Sequence, residues 1–421
     1  MMNRIIPIMI IWLIIDFYFF QAIKTATNNR YIYWGYWLFD GLLVVAIILY
    51  FWLNSNNISP GKGMGWLVGL VLISFVPKLI VIPLLLLEDI GRILHFAGNW
   101  IAHLLKLSSS AETVVHFVER RKFISQIALG IAAIPFFSLI YGMVKGKYDY
   151  KVHRITIRFK DLPEAFNGFT ITQISDVHSG SFTSKSDVER GITIANQQKS
   201  DLMLFTGDLV NTRADEMNEW IEPFSKLKGK YGQFSILGNH DYGDYTQWES
   251  EAAKAKNMQH LKEVHNEIGF KLLLDQNVKI EKDGQSITLI GVGNWGKRGF
   301  HKYGNLKKAT ENIGNTGFNI LMSHDPSHWE GEILDHSKHI HLTLSGHTHG
   351  MQFGIEIPGI KWSPIKYIYP QWAGLYSKTG KYIYVNRGFG FIGYPGRVGI
   401  LPEITVIELK KAVDKAPAPE T

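Results

Sequence analysis

Residues 342–352 read LTLSGHTHGMQ: a strand that ends in two histidines, His347 and His349, one residue apart and fenced by Gly346 and Gly350. Holding two imidazoles so close is costly unless something binds both rings. An isolated H-x-H says little, because two exposed loop histidines produce it by accident. Its meaning depends on where the rest of the chain puts residues of the same kind.

From residue 151 onward, short β-branched runs alternate with helical ones. GFTITQIS (168–175) ends in Asp176-Val177-His178 and is followed by the helical KSDVERGITIANQQK (185–199). DLMLFT (201–206) ends in Gly207-Asp208. ADEMNEWIEPFSKLK (214–228) reads as a second helix, leading to QFSIL (233–237) and Gly238-Asn239-His240-Asp241. After a long helical insertion come ITLIGVG (287–293), FNILMS (318–323) ending in His324-Asp325, and HIHLTLS (339–345), which leads into the opening stretch. Each run has the length and composition of a buried strand. One Gly-Asp or one Asp-x-His means nothing, since Asp follows Gly in ordinary turns. Five strands that each end in Asp, Asn or His are not explained by turn chemistry. In α/β sheets ligands bind beyond the carboxyl ends of strands, so these ends can converge on one site. His153, His260, His265, His301, His328, His336, His339 and His341 lack this placement and read as surface or packing residues.

The converging set is Asp176, His178, Asp208, Asn239, His324, His347 and His349. It mixes imidazole with oxygen and holds no thiolate, which suits Mn, Fe or Zn rather than Ca, a metal that prefers an all-oxygen shell. Seven ligands exceed what one ion takes from protein while keeping a reactive position open. Two divalent ions sharing a carboxylate fit better, and such pairs clamp the attacking and leaving oxygens of an in-line displacement, most often at phosphate esters.

In this order and after strands, D-x-H, G-D, G-N-H-D, a later H and G-H-T-H-G resemble the calcineurin-like metallophosphoesterase superfamily, over about residues 155–410. The resemblance implies an α/β fold, a double β-sandwich flanked by helices, with a dinuclear site between loops. It implies that Asp176, His178, Asp208 and His349 hold one ion, and that Asp208, as bridge, with Asn239, His324 and His347 holds the other. It assigns His240 to assisting the leaving group and Asp241 to orienting His240. The chain departs from the family at Met351, where many members have a glycine, and a glycine there permits unusual backbone angles. The downstream stretch from Ile355 to Leu409 resembles a membrane-associated bacterial branch that includes pyrophosphatases acting on nucleotide–lipid diphosphates. Arg387 and Arg397 are candidate phosphate ligands, since guanidinium pairs well with phosphate oxygens. Phe353, Trp362, Phe389, Phe391 and Tyr394 read either as an apolar wall beside the site or as core.

The other end of the chain reads differently. Residues 1–150 carry four apolar stretches long enough to span a bilayer, Ile5–Ala22, Trp37–Leu53, Trp66–Leu87 and Phe123–Val144. Aromatic residues such as Tyr31, Trp34, Trp52 and Trp66 crowd their ends, as at headgroup level. Asp16, Asp40 and Lys78 fall in or near the spans. We read them as structural, with Lys78 paired to Asp16 and Asp40 at the interface. EDIGRILHFAGNWIAHLLKL (88–107) has the pattern of a helix lying in the membrane surface. Residues 151–411 form the phosphoesterase domain, and 412–421 read as a disordered tail.

The net charge of +7 is scattered rather than clustered. A membrane therefore fits as partner better than nucleic acid, and no basic, aromatic-interleaved groove for a nuclease is visible. The absence of cysteine removes disulfides, thiolate metal sites and cysteine nucleophiles. Arg120 and Arg121, in ERRKFIS ahead of the fourth span, look like a twin-arginine export signal. Loop charges agree: Lys24, Arg30, Arg92, Lys106, Arg120, Arg121 and Lys122 stand against Arg4, Lys62, Lys145 and Lys147, which puts the catalytic domain outside the cytoplasm. The expectation is a multi-pass, membrane-anchored phosphodiesterase or pyrophosphatase, with an amphiphilic, lipid-linked phosphoester as substrate. A receptor or scaffold with an idle phosphoesterase domain is the alternative, but no ligand position is lost.

Overall fold

The computed structural model describes residues 2–55, 63–105, 114–297, 299 and 301–412. The chain divides into two compact units, Met1–Met143 and Val144–Thr421.

The first unit is four helices: α1 (Met2–Ala26), α2 (Arg30–Ser55), α3 (Gly63–Leu104) and α4 (Val114–Val144). Each carries a stretch long and apolar enough to cross a membrane. In lipid, helices are the natural solution because they satisfy every backbone polar group within the segment. Asn29 starts α2 by accepting the Tyr31 amide on its side chain at 2.9 Å, an N-cap. Phe19, Ala22, Ile23, Val81, Leu85, Ala128 and Ala132 pack the interior, while residues such as Ile14, Phe17, Leu42 and Phe137 face outward.

Lys78 ties three of these helices' polar residues together. Its Nζ lies 2.6 Å from Asp16 Oδ1, 2.9 Å from Asp40 Oδ2 and 2.8 Å from Ser74 Oγ. Asp40, expected at the interface, is buried and paired with Lys78 as well, and an unpaired carboxylate in or near a span is far more costly than one shared with an ammonium. A second difference concerns the surface helix expected at 88–107. No break separates it from the third span: α3 runs for 42 residues, ~63 Å at 1.5 Å per residue and so about twice the ~30 Å hydrocarbon core. Ile93, Leu94, Phe96 and Trp100 in its second half are exposed.

The second unit stacks two six-stranded sheets. Along the chain the elements are β1 (Lys151–Phe159), β2 (Phe169–Ile174), α5 (Lys185–Gln197), β3 (Leu202–Phe205), the one-turn α6 (Ile221–Phe224), β4 (Gln233–Ser235), α7 (Glu251–Glu267) and β5 (Lys271–Leu272). They continue with β6 (Gln276–Lys282), β7 (Gln285–Gly291), the short α8 (Leu306–Ala309), β8 (Asn319–Met322), β9 (Leu342–Ser345), β10 (Ile355–Ile357), β11 (Ile360–Trp362), β12 (Gly374–Lys378), β13 (Lys381–Val385) and β14 (Glu403–Lys411). The sheet orders are β1-β14-β2-β3-β4-β5 and β12-β13-β9-β8-β7-β6, with β10-β11 a separate hairpin.

Strand alternation explains the layers. Leu202 and Leu204 of β3 meet Ile320 and Met322 of β8 and Leu342 and Leu344 of β9 between the sheets. Met203 and Phe205 point the other way, onto Val188 and Ile192 of α5 and Leu261 and Val264 of α7. Leu321 of β8 and Ile383 of β13 cover the far face with Trp329 and Ile333. Both faces of the central strands are buried, which is why their sequences read as unbroken apolar runs. This is the expected double β-sandwich flanked by helices.

The helix expected over 214–228 is not continuous. It splits into a 3₁₀ turn at Ala214–Met217 and α6, because Pro223 lacks the N–H a longer helix would need. The Glu216 carboxylate meanwhile takes the amides of Asn211, Thr212 and Arg213. The expected tail is described only as far as residue 412; 413–421, like Lys62 and Lys106 of the charge comparison, lie outside the described residues.

Candidate metal centre

The loops after β2, β3, β4, β8 and β9 deliver the seven candidate ligands to one place. They turn sharply there. Asp176 (φ 52°), His178 (48°), Asp208 (59°), His347 (73°) and His349 (50°) are all left-handed. This region is uncommon for residues with a side chain, with Asp and His enriched among the exceptions, and it costs ~1–3 kcal/mol per residue where the surroundings enforce it. The glycines of the opening stretch have a steric reason: a Cβ on Gly346 would stand 2.1 Å from Asp176 Oδ2. Met351 takes the left-handed backbone that a glycine adopts without cost, with φ 57°. The methionine side chain is exposed.

Two clusters form. Asp176, His178 and His349 present ligand atoms to one another, and so do Asp208, His324 and His347. In the first, His349 Nε2 lies 3.2 Å from Asp176 Oδ1 and 3.0 Å from His178 Nε2. In the second, His324 Nε2 lies 3.1 Å from Asp208 Oδ2. That same oxygen is 3.6 Å from His178 Nε2, so Asp208 faces both groups. Asn239 Oδ1 reaches the second cluster, 2.8 Å from His347 Nδ1.

The donor set fits divalent metal. His324 donates Nδ1–H to the Thr206 carbonyl at 2.7 Å, which turns its buried Nε2 toward Asp208 Oδ2, 3.1 Å away, a nitrogen–oxygen pair that a cation can bridge. Metal-bound histidines are usually fixed in this way through the other nitrogen. His178 Nδ1 is buried and unpartnered. Without an ion, burial penalises the charges: it lowers His178, His347 and His349. Burial opposes ionisation of Asp176 too, but His349 and His324 overcome it and hold its carboxyl well below the usual range. Burial also opposes the His324 imidazolium, yet the Asp208 carboxylate raises it to about 10.

Beside the clusters stands His240, half-buried, its ring 4.9 Å from that of His178. Its Nδ1–H donates to the Asn211 carbonyl at 2.8 Å, so Nε2 is the nitrogen left to exchange a proton. The acid expected to orient it does something else. Asp241 accepts the amides of Asp208 and Gly238 at 2.8 Å on Oδ2, and those of Leu209 and Val210 at 2.8 and 3.2 Å on Oδ1. Burial, followed by the Asp208 charge, pushes it up to about 7, against these amides, which favour the anion. Asp241 thus shapes the turn that carries Asp208, and Asn211 is the residue that aims His240.

Arg387 and Arg397 do not face the clusters as open phosphate ligands, because internal partners occupy both guanidiniums. Arg387 pairs with Glu403 at 2.6 Å and with Glu356 at 2.9 Å. Arg397 is fully buried, donates to the Arg387 and Gly390 carbonyls, and backs the His349 ring, Nη2 lying 3.1 Å from Nδ1. Phe389 and Phe391 belong to the core with Tyr148, Tyr150 and Phe182. Two tyrosines escaped the sequence reading. Tyr245 accepts Asn239 Nδ2 at 2.9 Å, turning Oδ1 toward the site. Tyr369 meets His347 Nε2 at 2.9 Å, turning Nδ1 inward. Neither follows a strand, so no pattern marked them.

Residues 2–147 match the family described as probable calcineurin-like phosphoesterase, transmembrane domain, and residues 169–351 match calcineurin-like phosphoesterase. The chain is similar to the transmembrane protein with metallophosphoesterase domain of Danio rerio, 29% identical over 75% of this chain and 68% of that one. It is 31% identical to the uncharacterized metallophosphoesterase YkuE of Bacillus subtilis, over 61% of this chain and 84% of that one. It is 27% identical to the phosphodiesterase YaeI of Escherichia coli, over 69% of this chain and 99% of that one. Matches this extensive, falling on strand ends that gather the expected donors, mean that the chain belongs to the calcineurin-like metallophosphoesterases, divalent-metal phosphoesterase hydrolases, and carries the transmembrane domain of a membrane-associated branch.

Proposed function

We propose that this protein hydrolyses a phosphodiester or diphosphate bond of a lipid-linked substrate through a dinuclear metal site. The observation that carries the reading is Asp208 Oδ2, within 3.1 Å of His324 and 3.6 Å of His178, one carboxylate between two ligand clusters. Asp176, His178, His349 and Asp208 would hold one ion, and Asp208, Asn239, His324 and His347 the other. Bound there, divalent ions supply Lewis-acid polarisation of phosphoryl oxygens and a nucleophile at neutral pH. The chain's own residues do the rest. Tyr245, Tyr369 and Thr206 fix the ligand rotamers, and Asp241 holds the Asp208 turn. His240, aimed by Asn211, delivers a proton from Nε2 to the departing oxygen.

The test is a screen of the full-length protein in mixed micelles with Mn, Fe, Zn and Mg in turn, comparing a lipid-linked diphosphate or diester with the matched water-soluble compound. The lipid form should have the higher kcat/KM. Equal values for the two forms argue against the amphiphile, and inactivity with every metal argues against the enzyme.

We further propose that the catalytic unit lies outside the cytoplasm, on the loop charges and the paired Arg120 and Arg121. Protease added to intact spheroplasts of a bacterial host should degrade it. A unit that stays protected until lysis has the reverse topology.

A further inference from the structure

Past the ends of β4 and β7 the metal centre runs into a cleft of about 240 Å³. Candidate ligand Asn239 belongs to its wall, and Asp244, Tyr245, Asn294 and Tyr303 line it further out. The wall is held from behind. The Asn294 carbonyl accepts the amides of Tyr303 and Gly304 at 2.8 and 3.0 Å, which folds the loop after β7 back on itself. Tyr303 stacks on Tyr242, ring centroids 3.6 Å apart, and donates its hydroxyl to Asp244 Oδ2 at 2.8 Å. Lys254 meets Asp244 Oδ1 at 2.5 Å, so the charge of that carboxylate is already matched.

What the cleft offers is mostly acceptors. Asn294 is 1% exposed, and its Oδ1 has no hydrogen-bond partner among the described residues. That is a costly position for a buried amide oxygen unless something donates to it. Asp244 has lone pairs to spare on both oxygens, and the Tyr303 oxygen, having given its hydrogen away, can only accept. Tyr245 is the donor: its oxygen takes Asn239 Nδ2 at 2.9 Å, which leaves its O–H for the cleft.

From this we infer that the cleft receives the leaving group of the substrate, and that this group is a neutral, hydroxyl-rich one of polyol or sugar type. Acceptors in excess call for a ligand that brings O–H donors. An ionised phosphate brings none and would stand against the Asp244 carboxylate, and a quaternary ammonium brings charge without a donor. The side of the reaction is set by His240. Its ring lies 4.5 Å from that of Tyr245, so the wall of the cleft borders the residue proposed to protonate the departing oxygen. The inference rests on the proposed phosphoesterase reaction and narrows it, to a diester with a hydroxylated headgroup rather than a diphosphate.

The test reads binding, without turnover. Full-length His240→Ala, loaded with metal in detergent, is titrated calorimetrically with butyl glyceryl phosphate and with the analogue whose terminal hydroxyl is replaced by hydrogen. The butyl diesters of choline and ethanolamine and butyl diphosphate complete the series. The glyceryl ester should bind ~10–100-fold more tightly than its deoxy analogue, the discrimination expected where a buried acceptor loses its donor. Adding Asn294→Leu should bring that ratio close to one with metal content unchanged. Tyr303→Phe, at an exposed position that tolerates substitution more readily, should reduce it as well, and it keeps the test open where the leucine variant does not fold. Equal affinity for the glyceryl and deoxy esters, or no measurable binding of either, overturns the inference. So does tighter binding of the choline, ethanolamine or diphosphate compound, and so does a preference that survives both substitutions. Failure of the proposed reaction looks different: wild-type protein inactive with every metal, with the glyceryl preference intact in the titration.

Discussion

Asp208→Asn is expected to remove most of the bound metal and reduce hydrolysis to background. Asp208 Oδ2 faces His324 at 3.1 Å and His178 at 3.6 Å, while Oδ1 accepts the His240 amide at 2.8 Å. No other candidate ligand is placed to serve both clusters. Asparagine keeps the shape and one acceptor but removes the charge that would offset two cations. The turn itself should survive, because Asp241 holds it through the backbone amides of residues 208–210. Metal analysis of the loaded wild type should approach about two ions per chain, as paired-metal hydrolysis requires, and the variant should fall well below that with unchanged circular dichroism. A wild type fixed near one ion per chain, or a variant that keeps its full complement, would sink the bridging role.

The second large effect is expected at His240. Its Nδ1–H is committed to the Asn211 carbonyl at 2.8 Å, so the ring cannot swing in as a ligand without breaking that bond. His240→Ala should lower kcat by ~10²–10⁴, the range for a general acid or base, with metal content preserved. The loss should shrink for substrates whose leaving groups are already weak bases. A variant that sheds its metals, or one whose loss ignores the leaving group, would make His240 a ligand or a structural residue instead.

The seven ligand candidates were legible because strands broadcast their ends. Apolar runs of five to eight residues, mostly buried, stand out from the polar loops between them, and the residue after each run has little reason to be a metal donor by chance. What stayed hidden lies off that pattern. The group that aims His240 is a backbone carbonyl, at Asn211, and a carbonyl has no letter in a sequence. Asp241 sits next to His240 in the chain, yet its oxygens turn back to the amides of 208–210 and 238, a direction set by the 3₁₀ turn at His240–Tyr242. Arg387 and Arg397 carry the charge a phosphate would want, and only their burial against Glu403, Glu356 and main-chain carbonyls shows that this charge is already matched. In the membrane unit, composition marked four spans but not that the third continues unbroken to Leu104. Its prolines, Pro77 and Pro83, suggest an interruption that the helix absorbs.

The placement of β14 has a consequence for how the protein is made. It lies between β1 and β2, parallel to the first and antiparallel to the second, and among the described residues β1 pairs with no other strand. Thr156 and Glu408, joined across this ladder, are 252 residues apart in sequence. Contacts so distant form late and slowly, since the intervening chain must be closed before they reward it. The sheet therefore cannot grow in step with synthesis: β2, β3 and β4 can meet early, but β2 keeps an open edge, with the hazard of wrong pairing that open edges carry. Only when residue 411 has emerged can β1 be locked to the rest. Until then β1 waits without a partner strand, and the six-stranded sheet is completed only by the last strand to be made.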